Sequence, residues 1–248
     1  MIELQDIKVC FNVGTPLESA LFKGFNLSIQ SGEFITIIGG NGAGKSTLLN
    51  VIAGEIPIME GTVLLDKMNV TGKPAFKRAR WLSRVFQDPL VGSYADLTIE
   101  ENLSLALSRG KKRLLKSALS AILREQFRDK LRVIGIGLEN RLSDKMGLLS
   151  GGQRQAVSLV MATLRPSKIL LLDEHTAALD PKMEELILEL TERLIKENQL
   201  TALMITHCMA QALKYGTRTL VMHHGKIARD LSLSEREQLK TSDLIQFF

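Results

Sequence analysis

Short apolar runs alternate along this chain with stretches of helical periodicity. Phe34-Ile35-Thr36-Ile37-Ile38 is compact and apolar and predicts a buried strand. It leads into Gly39-Gly40-Asn41-Gly42-Ala43-Gly44 and then a helix-like stretch from Lys45 to Ala53. Ile169-Leu170-Leu171-Leu172 predicts a second buried strand, ending at Asp173-Glu174. A helix should follow, with Asp180 as N-cap and Pro181 at its first position. Met183, Leu186, Ile187, Leu190 and Leu194 then fall along one helical face. Ala202-Leu203-Met204-Ile205 predicts a third strand, ending at Thr206-His207. Leu220-Val221-Met222, His223-His224-Gly225 and Lys226-Ile227 predict a late hairpin. This alternation points to an α/β domain.

The middle of the chain has a different texture. From about Thr98 to Gly147 it is rich in Leu, Lys, Arg and Glu and poor in strand formers, which predicts a helical insertion. The basic run Arg109-Gly110-Lys111-Lys112-Arg113 lies inside it, and fits a solvated face or loop as well as an anionic partner. From Ser232 onward the chain is polar and predicts a short helical tail.

Composition narrows the classes. With 248 residues, 45% hydrophobic and 24% charged, the chain can bury a real core. One Trp and two Tyr argue against an aromatic platform for nucleic acid. A net charge of +5 suits a polyanion such as ATP, an acidic membrane surface, or simply a slightly basic cytosolic protein. Cys10 and Cys208 lack the spacing of a zinc site or a disulfide framework. The start, Met1 to Asp6, lacks a signal-peptide pattern, and no apolar run approaches the roughly 20 residues that span a bilayer. A membrane role is expected to come through a partner.

Gly39-Gly40-Asn41-Gly42-Ala43-Gly44-Lys45-Ser46 matches GxxxxGK[ST], with a predicted strand before it and a helix after. Its glycines let the backbone curl around phosphates and aim N–H groups inward, and the helix start adds a positive dipole end. Lys45 should reach the β- and γ-phosphates of ATP, the Ser46 hydroxyl should ligate Mg²⁺, and Thr47 should add a phosphate contact. Asp173 stands where a Mg²⁺-binding acid belongs, and Glu174 next to it can act as the general base on the attacking water.

Leu149-Ser150-Gly151-Gly152-Gln153 reads locally as a capping box, with Ala156, Val157, Val160 and Leu164 supplying an apolar face. Two glycines in a first helical turn weaken a helix, which makes sense if another group must approach the backbone. Six motifs now stand in order: the phosphate loop, Gln87 in Val85-Phe86-Gln87-Asp88-Pro89, Leu149-Ser150-Gly151-Gly152-Gln153, Asp173-Glu174, Ala178-Leu179-Asp180 and Thr206-His207. Over essentially its whole length the chain resembles an ABC-type ATPase. The resemblance implies a P-loop NTPase of the α/β class: a RecA-like core, an inserted helical subdomain carrying the signature, and a small N-terminal antiparallel β part. It divides the chain into core and β part (1–87 and 155–230), helical signature subdomain (88–154) and tail (231–248). It also implies a second ATPase subunit, each ATP lying between the phosphate loop of one and Ser150, Gly151, Gly152 and Gln153 of the other. Phe11 resembles the aromatic that stacks on adenine, Gln87 the residue that senses Mg²⁺, and His207 the switch that contacts the γ-phosphate.

One departure is informative. Most such ATPases have Pro after the catalytic Glu, and here it is His175. The run Asp173 to Lys182 is similar to a subgroup associated with bacterial importers that use transmembrane permease subunits and a solute-binding lipoprotein, often assigned to tryptophan or tyrosine. Such a subunit is expected in the cytoplasm, on the inner face of the cell membrane. A DNA- or ribosome-directed ABC ATPase is the competing class. It is disfavoured by the short spacing between Lys45 and Ser150, the lack of sustained heptads and the single set of motifs. Intact motifs disfavour a catalytically dead module. The segment Asp88 to Leu97, with Tyr94 as amphipathic anchor, is expected to meet the permease.

Overall fold

The computed structural model describes residues 1–109 and 119–245, so most of the basic run, with residues 110–118, lies outside the described residues. Ten strands are described: β1 (Ile2–Phe11), β2 (Ser19–Ile29), β3 (Phe34–Gly39), β4 (Glu60–Leu65), β5 (Met68–Asn69), β6 (Leu82–Val85), β7 (Ile169–Asp173), β8 (Thr201–Ile205), β9 (Arg218–His223) and β10 (Lys226–Leu231). The α-helices are α1 (Lys45–Ala53), α2 (Ala75–Arg78), α3 (Ile99–Ser108), α4 (Ala121–Arg132), α5 (Gly151–Thr163), α6 (Pro181–Asn198), α7 (Met209–Lys214), α8 (Leu233–Arg236) and α9 (Thr241–Ile245).

The larger sheet runs β10-β9-β3-β8-β7-β6. From β9 to β6 its neighbours are parallel, and β10 closes the edge as the antiparallel arm of the hairpin expected at His223-His224-Gly225. Parallel strands covered on both faces read as continuous apolar runs, and the pleat then sorts them. Ile169 and Leu171 join the core under α1 and the small sheet, while Leu170 and Leu172 join a second core with α3, α4, α5 and α6. The same alternation sends Ile35 and Ile37 to the first core and Phe34 to the second.

The small antiparallel sheet runs β2-β1-β4-β5. In β1 the buried positions are Ile2 and Leu4, then Ile7 and Val9, out of phase across an irregularity between Leu4 and Ile7. Asp6 takes φ 50° there, and the bulge restores the inward face. The insertion expected from Thr98 holds α3 and α4. A capping box of Thr98 and Glu101 starts α3, and Ser120 caps α4. Helix α5 is continuous through residues 154 and 155, where the sequence divides insertion from core. Asp180 accepts the amide of Met183 as N-cap of α6, with Pro181 behind it.

Candidate active site

Because β3, β8, β7 and β6 are parallel neighbours, their carboxyl ends share one edge. Gly39, Thr206, Asp173 and Gln87 therefore come from distant sequence to one rim, where open α/β sheets bind ligands. Gly42 and Gly44 follow Gly39 with φ 77° and 101°. At Gly44 the left-handed φ favours glycine, and a Cβ there would also stand tightly, 3.0 Å from the Phe22 ring. A cleft of about 370 Å³ opens over this loop, lined by Phe11, Asn41 to Thr47 and Glu174, among others.

Lys45 begins α1 and is buried, its Nζ donating to the carbonyls of Gly39 at 2.7 Å and Gly40 at 3.1 Å. Burial lowers its pKa, and the nearby charges of Glu174 and Asp173 oppose that shift. The ammonium is thus held inside the loop by its own backbone. Ser46 Oγ donates to Asp173 Oδ1 at 3.3 Å. A hydroxyl and a carboxylate in contact are hard oxygen donors of the kind Mg²⁺ takes together with waters and phosphates, so the donor set fits that ion.

The other oxygen of Asp173 is engaged by a residue that the motifs did not point to. Arg84 donates to Asp173 Oδ2, to Glu55 Oε2 and to Asn50 Oδ1, each at 2.6 Å. Its one visible signal is a cation inside Leu82-Ser83-Arg84-Val85, an otherwise uncharged strand. The guanidinium thus pairs with two carboxylates, one half-buried and one exposed.

Glu174 adopts φ 47°, a left-handed conformation uncommon for a non-glycine residue. Its amide donates to Ile205 O at 3.2 Å, which stitches the turn to the end of β8. Its Oε1 meets His207 Nε2 at 2.6 Å. The loop carrying His207 is fixed by a chain of side chains. Thr206 Oγ1 donates to Gln211 Oε1 at 2.7 Å, and Gln211 Nε2 donates to Glu184 Oε1 of α6 at 2.5 Å.

Gln87 is exposed just past β6, and Gln155 Nε2 of α5 donates to the neighbouring Phe86 carbonyl at 3.1 Å. Ser150 caps α5, with Gln153 completing the box. The two glycines differ. A Cβ on Gly152 would come 2.1 Å from Met183 Cγ, so Gly152 lets α5 close on α6. A Cβ on Gly151 would meet nothing within 4 Å. None of residues 150–153 lines the phosphate-loop cleft. The geometry thus gathers Phe11, the loop, Asp173, Glu174 and His207, and leaves residues 150–153 outside this cleft, with open space beside Gly151.

A scan against family models matches residues 22–177 to the ABC transporter family. The chain is 40% identical over 248 residues to the tyrosine transport ATP-binding protein of Clostridioides difficile (strain R20291), covering 100% of this chain and 98% of that protein. It is 37% identical over 204 residues to the thiamine import ATP-binding protein ThiQ of Escherichia coli O157:H7, 82% of this chain and 83% of the relative. Among solved structures, the ATP-binding cassette MJ0796, a dimer bound to ADP and Pi, superposes with TM-score 0.80 at 29% identity, over 94% of this chain and 99% of the other. Structure cbiO1 of Clostridium perfringens, part of the ABC transporter complex cbiONQ, gives TM-score 0.79 at 27% identity, over 97% and 92%. A P-loop NTPase fold, the assembled phosphate site and these likenesses agree: the chain belongs to the ABC transporter family, as an ATP-binding, ATP-hydrolysing subunit.

Proposed function

We propose that this subunit hydrolyses ATP between two copies of itself and couples the reaction to import of a tyrosine-like amino acid through a membrane permease. The observation that carries the hydrolytic reading is the Glu174–His207 contact of 2.6 Å at the rim of the phosphate-loop cleft. Phe11 stacks on the adenine, and residues 39–47 hold the phosphates. Glu174 takes a proton from water as its oxygen attacks the γ-phosphorus, and the bond to the bridging oxygen of ADP breaks. His207 leaves Glu174 to donate to the γ-phosphate. Ser46 and Asp173 would hold Mg²⁺, whose charge would offset that of the phosphates, and Gln87 would sense its presence. Ser150 to Gln153 of the facing copy complete the site, since they do not line the cleft of their own chain.

Docking on the permease uses the segment after Gln87. A cleft of about 330 Å³ is lined by Phe86, Pro89, Gly92, Tyr94 and Leu105, among others, and Tyr94 is 65% exposed at its edge. No helix among the described residues is long and apolar enough to cross a membrane; in the proposed arrangement the permease, met through this contact, holds the subunit at the inner face. The transported solute follows the tyrosine transport relative, which the chain matches end to end; the subgroup's solute-binding lipoprotein would deliver it. Tyr94→Ala should keep ATP affinity within about twofold and lower permease-stimulated ATPase by about tenfold, the scale of one interface anchor. Reconstitution with the permease and radiolabelled tyrosine uptake measures both arms. Full stimulation in the variant would remove Tyr94 from the interface, and turnover unaltered by tyrosine, with no tyrosine taken up, would remove the solute assignment.

A further inference from the structure

His175 follows Glu174 directly and is buried, 2% exposed. Burial disfavours a charge on the ring. Its Nε2 lies 3.1 Å from Thr191 Oγ1 on α6, and that hydroxyl donates to Ile187 O at 2.7 Å. A hydroxyl has one proton. Thr191 uses it on the helix carbonyl, so it accepts from the imidazole, which fixes the Nε2–H tautomer. Nδ1 is then a buried acceptor without a hydrogen-bond partner. An aliphatic side chain would fill this space without an orphaned nitrogen. The ring is therefore not explained by packing alone.

Its neighbours suggest what it does. Glu174 holds its left-handed φ only if its surroundings impose it. On one side the Glu174 amide is tied to Ile205 O. On the other the next residue is tied to α6. The same helix carries Glu184, which anchors the His207 loop through Gln211 and Thr206, and Met183, which packs on Gly152. Glu184 and Thr191 are seven residues apart, two helical turns along one face. One rigid helix thus braces the turn with the carboxylate, the loop with the histidine, and the signature helix.

We propose that His175 and Thr191 are positioning residues for ATP hydrolysis: their hydrogen bond anchors the Glu174 turn to α6 and aims the carboxylate. The proposal rests on the reading of Glu174 as general base. Thr191→Val and His175→Leu remove the acceptor and the donor at similar volume. Each should lower kcat about tenfold, the scale of a sub-ångström misplacement, while the KM for ATP stays within about twofold. The double variant should lose no more than either single, because one bond is removed in all three cases. Replacing both partners by apolar groups should leave its thermal midpoint at or above wild type. Thr191→Ser keeps the hydroxyl and His175→Gln keeps an amide donor, so both should stay within about threefold of wild-type kcat. A folded double variant that turns over ATP at the wild-type rate overturns the proposal, as do losses that multiply or losses in kcat and KM together. Glu174→Gln, measured alongside, separates the two ideas. If it is inactive while the double variant is normal, only the positioning role fails; if it is active, the general-base reading fails first.

Discussion

Glu174→Gln should bind Mg²⁺-ATP as wild type does and hydrolyse it about 10²–10⁴-fold more slowly. The amide has the shape of the carboxylate and fits the same left-handed turn, whose backbone is tied to Ile205. It has no basic oxygen for the proton of water. Binding should survive because the proposed phosphate cradle is residues 39–47, and the loss of one negative charge near Lys45 should not weaken it. Slow hydrolysis has a second consequence. Nucleotide that joins two copies favours the dimer by mass action, and in this variant nothing removes it. Light scattering under saturating Mg²⁺-ATP should therefore report twice the subunit mass, with wild type returning to lower mass as ATP is consumed. A variant that stays monomeric with nucleotide bound contradicts the two-copy site.

Lys45→Ala should lower ATP affinity on the order of 100-fold, about 3 kcal/mol, and take hydrolysis with it. Lys45 is the buried cation of the cleft, already partly desolvated and held by the carbonyls of Gly39 and Gly40. Alanine leaves phosphate charge to backbone amides and the helix dipole alone. Asp173 and Glu174 also lose one nearby cation, so repulsion toward ATP rises. Equilibrium titration with a fluorescent ATP analogue checks the affinity. Circular dichroism checks that the fold, built on buried strands rather than on this side chain, is intact. An affinity within threefold of wild type would show that Lys45 does not meet the phosphates.

What the sequence disclosed follows from how local each signal is. The phosphate loop, the Ser150 box and the Asp180 cap each lie within a few residues, so their spacing alone locates them. The apolar runs of β3, β7 and β8 are legible because both faces of a parallel sheet are covered. Arg84 was not legible, since its meaning depends on Asp173, 89 positions away. His175 could be seen as a departure, but its partner Thr191 emerges only when α6 packs beside the turn. The reason for Gly152 is likewise tertiary, a methionine pressed against the backbone. In β1 the bulge after Leu4 shifts the phase of the apolar positions, which hides a long strand from a period-of-two reading. Of the basic run, Arg109 donates to Ser83 Oγ at 2.8 Å and is drawn toward the protein.

If ATP is held by the phosphate loop of one copy and the signature of another, Ser150→Arg should separate the two contributions. Ser150 is exposed at the start of α5 and absent from the lining of its own chain's cleft. An arginine there should block close approach of a facing copy while leaving the monomer's nucleotide contacts untouched. The measurement is titration of a fluorescent ATP analogue into protein too dilute to dimerise, beside ATP-driven dimerisation and turnover at high concentration. The affinity shift expected in the dilute monomer is below about 1.4 kcal/mol, or tenfold, with dimerisation and hydrolysis lost. A fall in monomer affinity as large as that of Lys45→Ala, in a correctly folded variant, would place Ser150 in its own chain's site and contradict the account.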